Sequence, residues 1–125
     1  AARTSPGQRG RRAGMMEVIF HGVRGSFPTS SPDTRRYGGS TAAVELHVDG
    51  EPPIFLDLGS GLPQIDVSGE KPFQASALVT HLHLDHIQGL MFFAPMFRPQ
   101  SEIVIWGPAA PDGPAPLPPG TRRRP

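Results

Sequence analysis

The sequence predicts an α/β fold built mostly of short strands, with one short helix directly after a histidine-rich segment. Three observations carry that expectation. Short runs rich in Val, Ile, Leu and Phe recur between Gly and Pro breaks at residues 16–21, 41–48, 54–58, 75–80 and 102–106. Residues 87–93 are the stretch that can continue as a helix before Pro95 and Pro99 break it. With 16 prolines and 15 glycines among 125 residues, much of the chain is removed from regular structure and the core is expected to be modest.

Residues 1–14 have no periodicity and almost nothing to bury, so they read as a disordered extension, with Met15 or Met16 looking like the natural start of the domain. The first strand, 16–21, is followed by Gly22-Val23-Arg24-Gly25-Ser26-Phe27-Pro28. This loop brings backbone amides and Arg24 together, and Arg24, Gly25 and Ser26 can receive an anion such as phosphate; an equally physical alternative is a tight turn with Arg24 in an ion pair. His21 at the strand end reads as a solvated or core histidine. Residues 30–39 form a polar connection with the single tyrosine, Tyr37, and two arginines, suited to a surface loop near a site.

The second strand has period two: Ala43, Glu45 and His47 on one side, Val44, Leu46 and Val48 on the other, with His47 expected to be exposed on the polar face. Asp49-Gly50 signals a turn into the third strand, making a hairpin. Asp57 ends that apolar run and precedes Gly59-Ser60-Gly61. A carboxylate in such a place needs partners, either orienting a metal-binding histidine or capping the turn that follows. Residues 62–72 admit one helical turn at most. From Gly107 the composition changes: residues 108–125 form a Pro- and Arg-rich tail that is expected to be disordered or polyproline-like. The domain itself is placed at 15–107.

Charge is unevenly distributed. Residues 15–107 hold five basic and ten acidic residues, a net of −5, and the overall +1 comes from the two ends. The basic balance is therefore no argument for nucleic-acid binding by the folded part, although arginine-rich arms remain the least favoured alternative. No cysteine is present, so disulfides and thiolate ligands are excluded. No apolar run approaches a membrane span and no signal-peptide core follows the first arginines, which makes a cytoplasmic location the default.

The chemical signal lies at residues 80–90, Thr-His-Leu-His-Leu-Asp-His-Ile-Gln-Gly-Leu. On an extended backbone His81 and His83 leave the same face, with Leu82 and Leu84 directed the other way into a core, and Asp85 and His86 follow at a turn. Three imidazoles and a carboxylate suit a borderline divalent cation, one ion or two neighbouring ones.

His81-Leu82-His83-Leu84-Asp85-His86 resembles the signature of the metallo-β-lactamase superfamily. Residues 22–28, 36–41, 56–61 and 87–95 look like its phosphodiesterase-like branch, related to tRNA 3′-processing endonucleases and cyclic-phosphate phosphodiesterases. The resemblance covers about residues 16–107 and implies the N-terminal half of an αββα sandwich hydrolase. It implies that His81 and His83 ligate a first Zn2+, Asp85 and His86 a second, other divalent metals being admissible, with Asp57 as the supporting strand-end aspartate. It also implies phosphodiester hydrolysis by a zinc-bound hydroxide, with Asp85 able to accept a proton. The family completes its site with later histidines and a bridging aspartate, whereas this chain has no histidine after His86 and only Glu102 and Asp112 as later acids. The sequence thus reads as a truncated hydrolase, expected to be inactive alone and to hold at most one metal well. The alternative is a non-enzymatic remnant or weak single-metal module. Expected partners are a small-molecule, nucleotide or RNA phosphodiester and, through the surface left by the missing half, a second copy of the chain.

Overall fold

A computed structural model describes residues 15–68 and 72–109. The expected extension 1–14 and the tail beyond residue 109 lie outside the described residues. Five strands form one mixed sheet in chain order: β1 (Met16–Gly22), β2 (Ala43–Val48), β3 (Ile54–Leu56), β4 (Gln74–Leu78) and β5 (Glu102–Trp106). The pairs β1–β2 and β2–β3 are antiparallel, whereas β3–β4 and β4–β5 are parallel. The expected hairpin joins β2 to β3, with Gly50 at φ 84° in the left-handed region that the turn requires.

Each parallel pairing needs a connection that crosses back over the sheet, and residues 57–73 and 79–101 supply the two crossings. In an ordinary α/β domain these would be helices. Here the described residues contain only 3-10 turns, at Pro32–Thr34, Leu62–Gln64, Leu84–His86, Gln88–Phe92 and Ala94–Phe97. The helix expected over 87–93 is therefore corrected to a tight 3-10 segment. Gly89 weakens a helix there, its amide bonds outward to the Leu58 carbonyl at 2.9 Å, and Pro95 stops any extension. No described helix is long and apolar enough to cross a membrane.

The crossings lie on one face of the sheet and form the core with it. Phe55, Ala43, Ala75 and Ala77 from the strands pack with Leu58, Leu62, Ile65, Val79 and Phe93 from the crossings. Phe55, Phe73 and Phe93 make a three-ring cluster, with Phe55 edge-on to Phe93 at 5.8 Å and Phe73 edge-on to Phe93 at 5.6 Å. Such pairs add about 0.5–1.5 kcal/mol each beyond burial.

The opposite face is the reverse of an ordinary half-buried sheet. Register aligns Val18, Leu46, Ile54, Ser76 and Val104 in one row and Phe20, Val44, Leu56, Leu78 and Trp106 in the next. Phe20 and Trp106 are more than 60% exposed. In β2 it is thus the Ala43–Glu45 side that faces the core and the Val44–Leu46 side that is open. The small alanines on the covered face let the crossings approach closely, and Glu45 is accommodated by a 2.8 Å contact with His21 Nε2. His47, next along that side, is exposed as expected.

Candidate metal centre

The histidine segment is positioned by the parallel pair β3–β4, whose ends carry Asp57 and Thr80 side by side. Asp57 continues the pairing by donating its amide to the Leu78 carbonyl at 2.9 Å, then turns with φ 59°. Asp tolerates that left-handed conformation better than most residues. The next residues are stitched to the turn bearing the histidines: Leu58 N–H donates to the His86 carbonyl at 2.7 Å, and Gly89 N–H to the Leu58 carbonyl. Gly59 and Gly89 cross here with no room for a side chain, since a Cβ on Gly89 would overlap the Gly59 carbonyl.

The buried Asp57 carboxylate organises the centre. Oδ1 accepts from the Thr80 amide at 2.8 Å, the Thr80 hydroxyl lies 3.0 Å from both carboxylate oxygens, and Oδ2 accepts from His86 Nδ1 at 2.8 Å. Burial alone would raise the Asp57 carboxyl; the Thr80 amide, the His86 ring and the Thr80 hydroxyl outweigh it and hold the group below its ordinary value. Of the two roles open for Asp57, the geometry is that of orienting a histidine.

The same network sets which ring nitrogens carry protons. An ionised carboxylate only accepts, so His86 presents an Nδ1–H to it and keeps Nε2 as the other face of the ring. The Thr80 hydroxyl has one proton, directed to Asp57, so it acts as acceptor toward His81 Nδ1 at 2.9 Å. His81 is thereby also an Nδ1–H tautomer with a lone pair at Nε2. One carboxylate fixes both rings, the second through a hydroxyl.

Asp85 is buried beside them. Its Oδ2 accepts the Ser26 amide at 2.7 Å and lies 3.4 Å from His86 Nε2. The Ser26 amide is the foremost influence holding the Asp85 carboxyl below its usual range; burial opposes it, and His86 and His83 add to the lowering. The carboxylate oxygen and the Nε2 lone pair are both acceptors, so the contact calls for a proton or a cation between them. The His81 ring centroid lies 4.6 Å from that of His83 and 4.0 Å from that of His86.

Among the described residues, no group of three or more His, Asp or Glu side chains has its ligating atoms converged on a point where an ion would sit. By donor chemistry the set still fits a zinc-like ion: neutral imidazoles with Nδ1 anchored, a neighbouring ionised carboxylate and an ordered supporting shell. His83 is exposed, whereas Asp85 is buried and His86 half-buried.

Several placements differ from the sequence reading. Leu82 and Leu84 do not enter a core; both are 68% exposed, because the chain leaves the sheet at Leu78 and the segment projects beyond the strand ends. In the loop of Arg24, Gly25 and Ser26, donors that an anion could use are already engaged within the chain, the Arg24 amide among them, donating to the Ser40 carbonyl at 2.9 Å. Ser26, at φ 68°, spends its N–H on Asp85, and Arg24 Nε donates to the Gly38 carbonyl at 3.0 Å. Ser26 and Thr80 are the site residues that sequence reasoning missed in these roles. The signal for Thr80 was its place directly before His81; nothing local marks Ser26 as the partner of a residue 59 positions away.

Fold and site together describe a small mixed-sheet domain carrying a carboxylate-ordered histidine cluster at the ends of two parallel strands. No family model matches the chain, nor does any curated protein or solved structure.

Proposed function

We propose that residues 15–107 are the N-terminal part of a metal-dependent hydrolase of the metallo-β-lactamase superfamily, acting on a phosphodiester and completed by a second half of an αββα sandwich. The observation that carries this reading is the Asp57 network, which anchors Nδ1 of both His81 and His86 and leaves both Nε2 lone pairs available, as a metal centre requires. His81, His83, Asp85 and His86 would hold the metal. When bound, a zinc-like ion supplies a water of pKa about 7 and stabilises charge developing on phosphoryl oxygens. Asp57 and Thr80 orient the rings, the Ser26 amide holds Asp85 ionised as a ligand requires, and Asp85 would also accept a proton from the nucleophile. The unconverged donors favour a second reading, a weak single-metal module without turnover.

Zinc stoichiometry and hydrolysis of an activated phosphodiester such as bis(4-nitrophenyl) phosphate test both. The chain alone is expected to bind one zinc or less, to lose it on His86→Ala, and to turn over slowly or not at all. A version extended by the sequence encoded downstream of Gly107, read in each frame for a further histidine-bearing segment, is expected to hydrolyse rapidly. An extended protein that binds zinc without hydrolysing any ester leaves the module reading in place; one that does neither ends the proposal.

A further inference from the structure

Thr41 lies two residues before β2, with its side chain wholly out of solvent. A threonine hydroxyl has one proton and two lone pairs, and when buried it needs partners for them. Here all three are used. Oγ1 accepts the Ser60 amide at 2.8 Å and a Gln88 side-chain N–H at 3.1 Å, and it donates to Ser60 Oγ at 3.3 Å. The Thr41 amide donates to the same Ser60 Oγ at 2.9 Å. Ser60 belongs to the corner that follows Asp57, and Gln88 stands two residues beyond His86. One hydroxyl thus joins the segment of the organising carboxylate to the turn that carries Asp85 and His86.

The main chain at Thr41 brings in a third segment. Thr41 forms an isolated parallel bridge with Arg24, and the Val23 and Arg24 amides both donate to the adjoining Ser40 carbonyl, at 3.0 and 2.9 Å. Two residues past Arg24, Ser26 gives its amide to Asp85 Oδ2. The fit is close: a Cβ on Gly59 would overlap the Thr41 hydroxyl and the Ala42 and Asp85 carbonyls, and one on Gly22 would overlap the Thr41 carbonyl. Loop, corner and turn therefore meet at one buried threonine, at the end of the sheet where β1, β3 and β4 finish.

We infer that Thr41 is a positioning residue for the metal centre, its hydroxyl holding the turn of Asp85 and His86 in register with Asp57 and with the Ser26 amide. The inference deepens the metal reading and rests on it for the zinc measurement alone. Thr41→Val nearly conserves shape and keeps the backbone bonds, but the Ser60 and Gln88 donors lose their acceptor. In chelator-treated protein the Ser26 amide proton, shifted downfield by its bond to a carboxylate, is expected to move upfield in Thr41→Val and to keep its parent position in Thr41→Ser. Zinc affinity, read by competition with a chromophoric chelator, is expected to fall about 10-fold in Thr41→Val and to return in Thr41→Ser.

Ile103→Ala, at the end of β5 away from the centre, is the control. It truncates a side chain packed on the core and lowers the melting temperature, while the Ser26 resonance and the zinc affinity stay as in the parent. Gln88→Leu cuts the tie between hydroxyl and turn from its half-buried side, so it repeats the test where Thr41→Val does not fold, with the same upfield movement expected. A parent Ser26 resonance in Thr41→Val, or in Gln88→Leu where that variant stands in, overturns the inference. So does a zinc affinity that falls equally in Ile103→Ala or that Thr41→Ser does not restore. A parent chain that binds no zinc ends the metal reading instead, and the Ser26 resonance then decides the positioning role by itself.

Discussion

Replacing Asp57 by Asn separates geometry from charge at the centre of the site. Asn is close to isosteric and tolerates φ 59° as Asp does, so backbone strain is not the variable. One side-chain oxygen still accepts the Thr80 amide. The other position becomes an NH2, which faces the Nδ1–H of His86 and sets donor against donor across 2.8 Å. The ring escapes by moving its proton to Nε2, and that removes the lone pair a metal would use. A hydrogen bond to a charged group contributes about 1.5–3 kcal/mol, so the metal-free variant is expected to lose about 2 kcal/mol in urea denaturation. Zinc affinity, read by competition with a chromophoric chelator, is expected to fall about 10- to 100-fold. Nitrogen-15 NMR of the imidazoles reads the tautomers directly, Nδ1–H in the parent and Nε2–H in the variant. An unchanged zinc affinity together with an unchanged His86 tautomer would refute the reasoning.

Other outcomes follow from the same structure. In chelator-treated protein the Asp57 carboxyl, held below its ordinary 3.8, contributes stability that is fully present above that value and is lost as pH falls through the lower folded value. Acid titrations followed by circular dichroism should therefore show a steeper loss below about pH 4 in the parent than in Asp57→Asn. Gly89→Ala must push the turn away from the Gly59 carbonyl. An expected cost of about 2 kcal/mol lowers the melting temperature by roughly 10 °C, and an unchanged melting curve would show that the crossing is loose. Phe55→Ala removes the ring at the centre of the aromatic cluster and should cost about 3–5 kcal/mol, enough to abolish a cooperative thermal transition in a core this small.

The strands were legible because their signals are local. Residues 102–106 match β5 end to end, and Asp49-Gly50 marked the turn between β2 and β3. Asp57 was legible for a different reason, since a carboxylate after a buried apolar run demands partners wherever the chain goes. What stayed hidden depends on tertiary context. The helix over 87–93 gave way because the Gly89 amide has a better partner in the Leu58 carbonyl than in its own turn. The alternation in β2 marked the side of Ala43, Glu45 and His47 as the polar one, yet Ala43 and Glu45 lie on the covered face, where close-packed crossings favour small residues such as alanine. Leu82 and Leu84 looked like core residues only on the assumption that the sheet continued beneath them.

The chain-order arrangement of the five strands also bears on how the site forms during folding. The β2–β3 hairpin closes over residues 49–53, whereas the parallel pairings close over residues 57–73 and 79–101. By loop-closure entropy the longer closures cost about 1 kcal/mol more, and they gain pairing only after two separated strands have met. The hairpin can therefore serve as an early platform, with Asp57 already at its end. His81, His83 and His86 are neighbours along the chain before any sheet exists, but Asp57 reaches them only when β4 docks. Before that step the imidazoles have no fixed tautomer, so an ion captured by the nascent segment would meet a different ligand set from the one the finished domain presents.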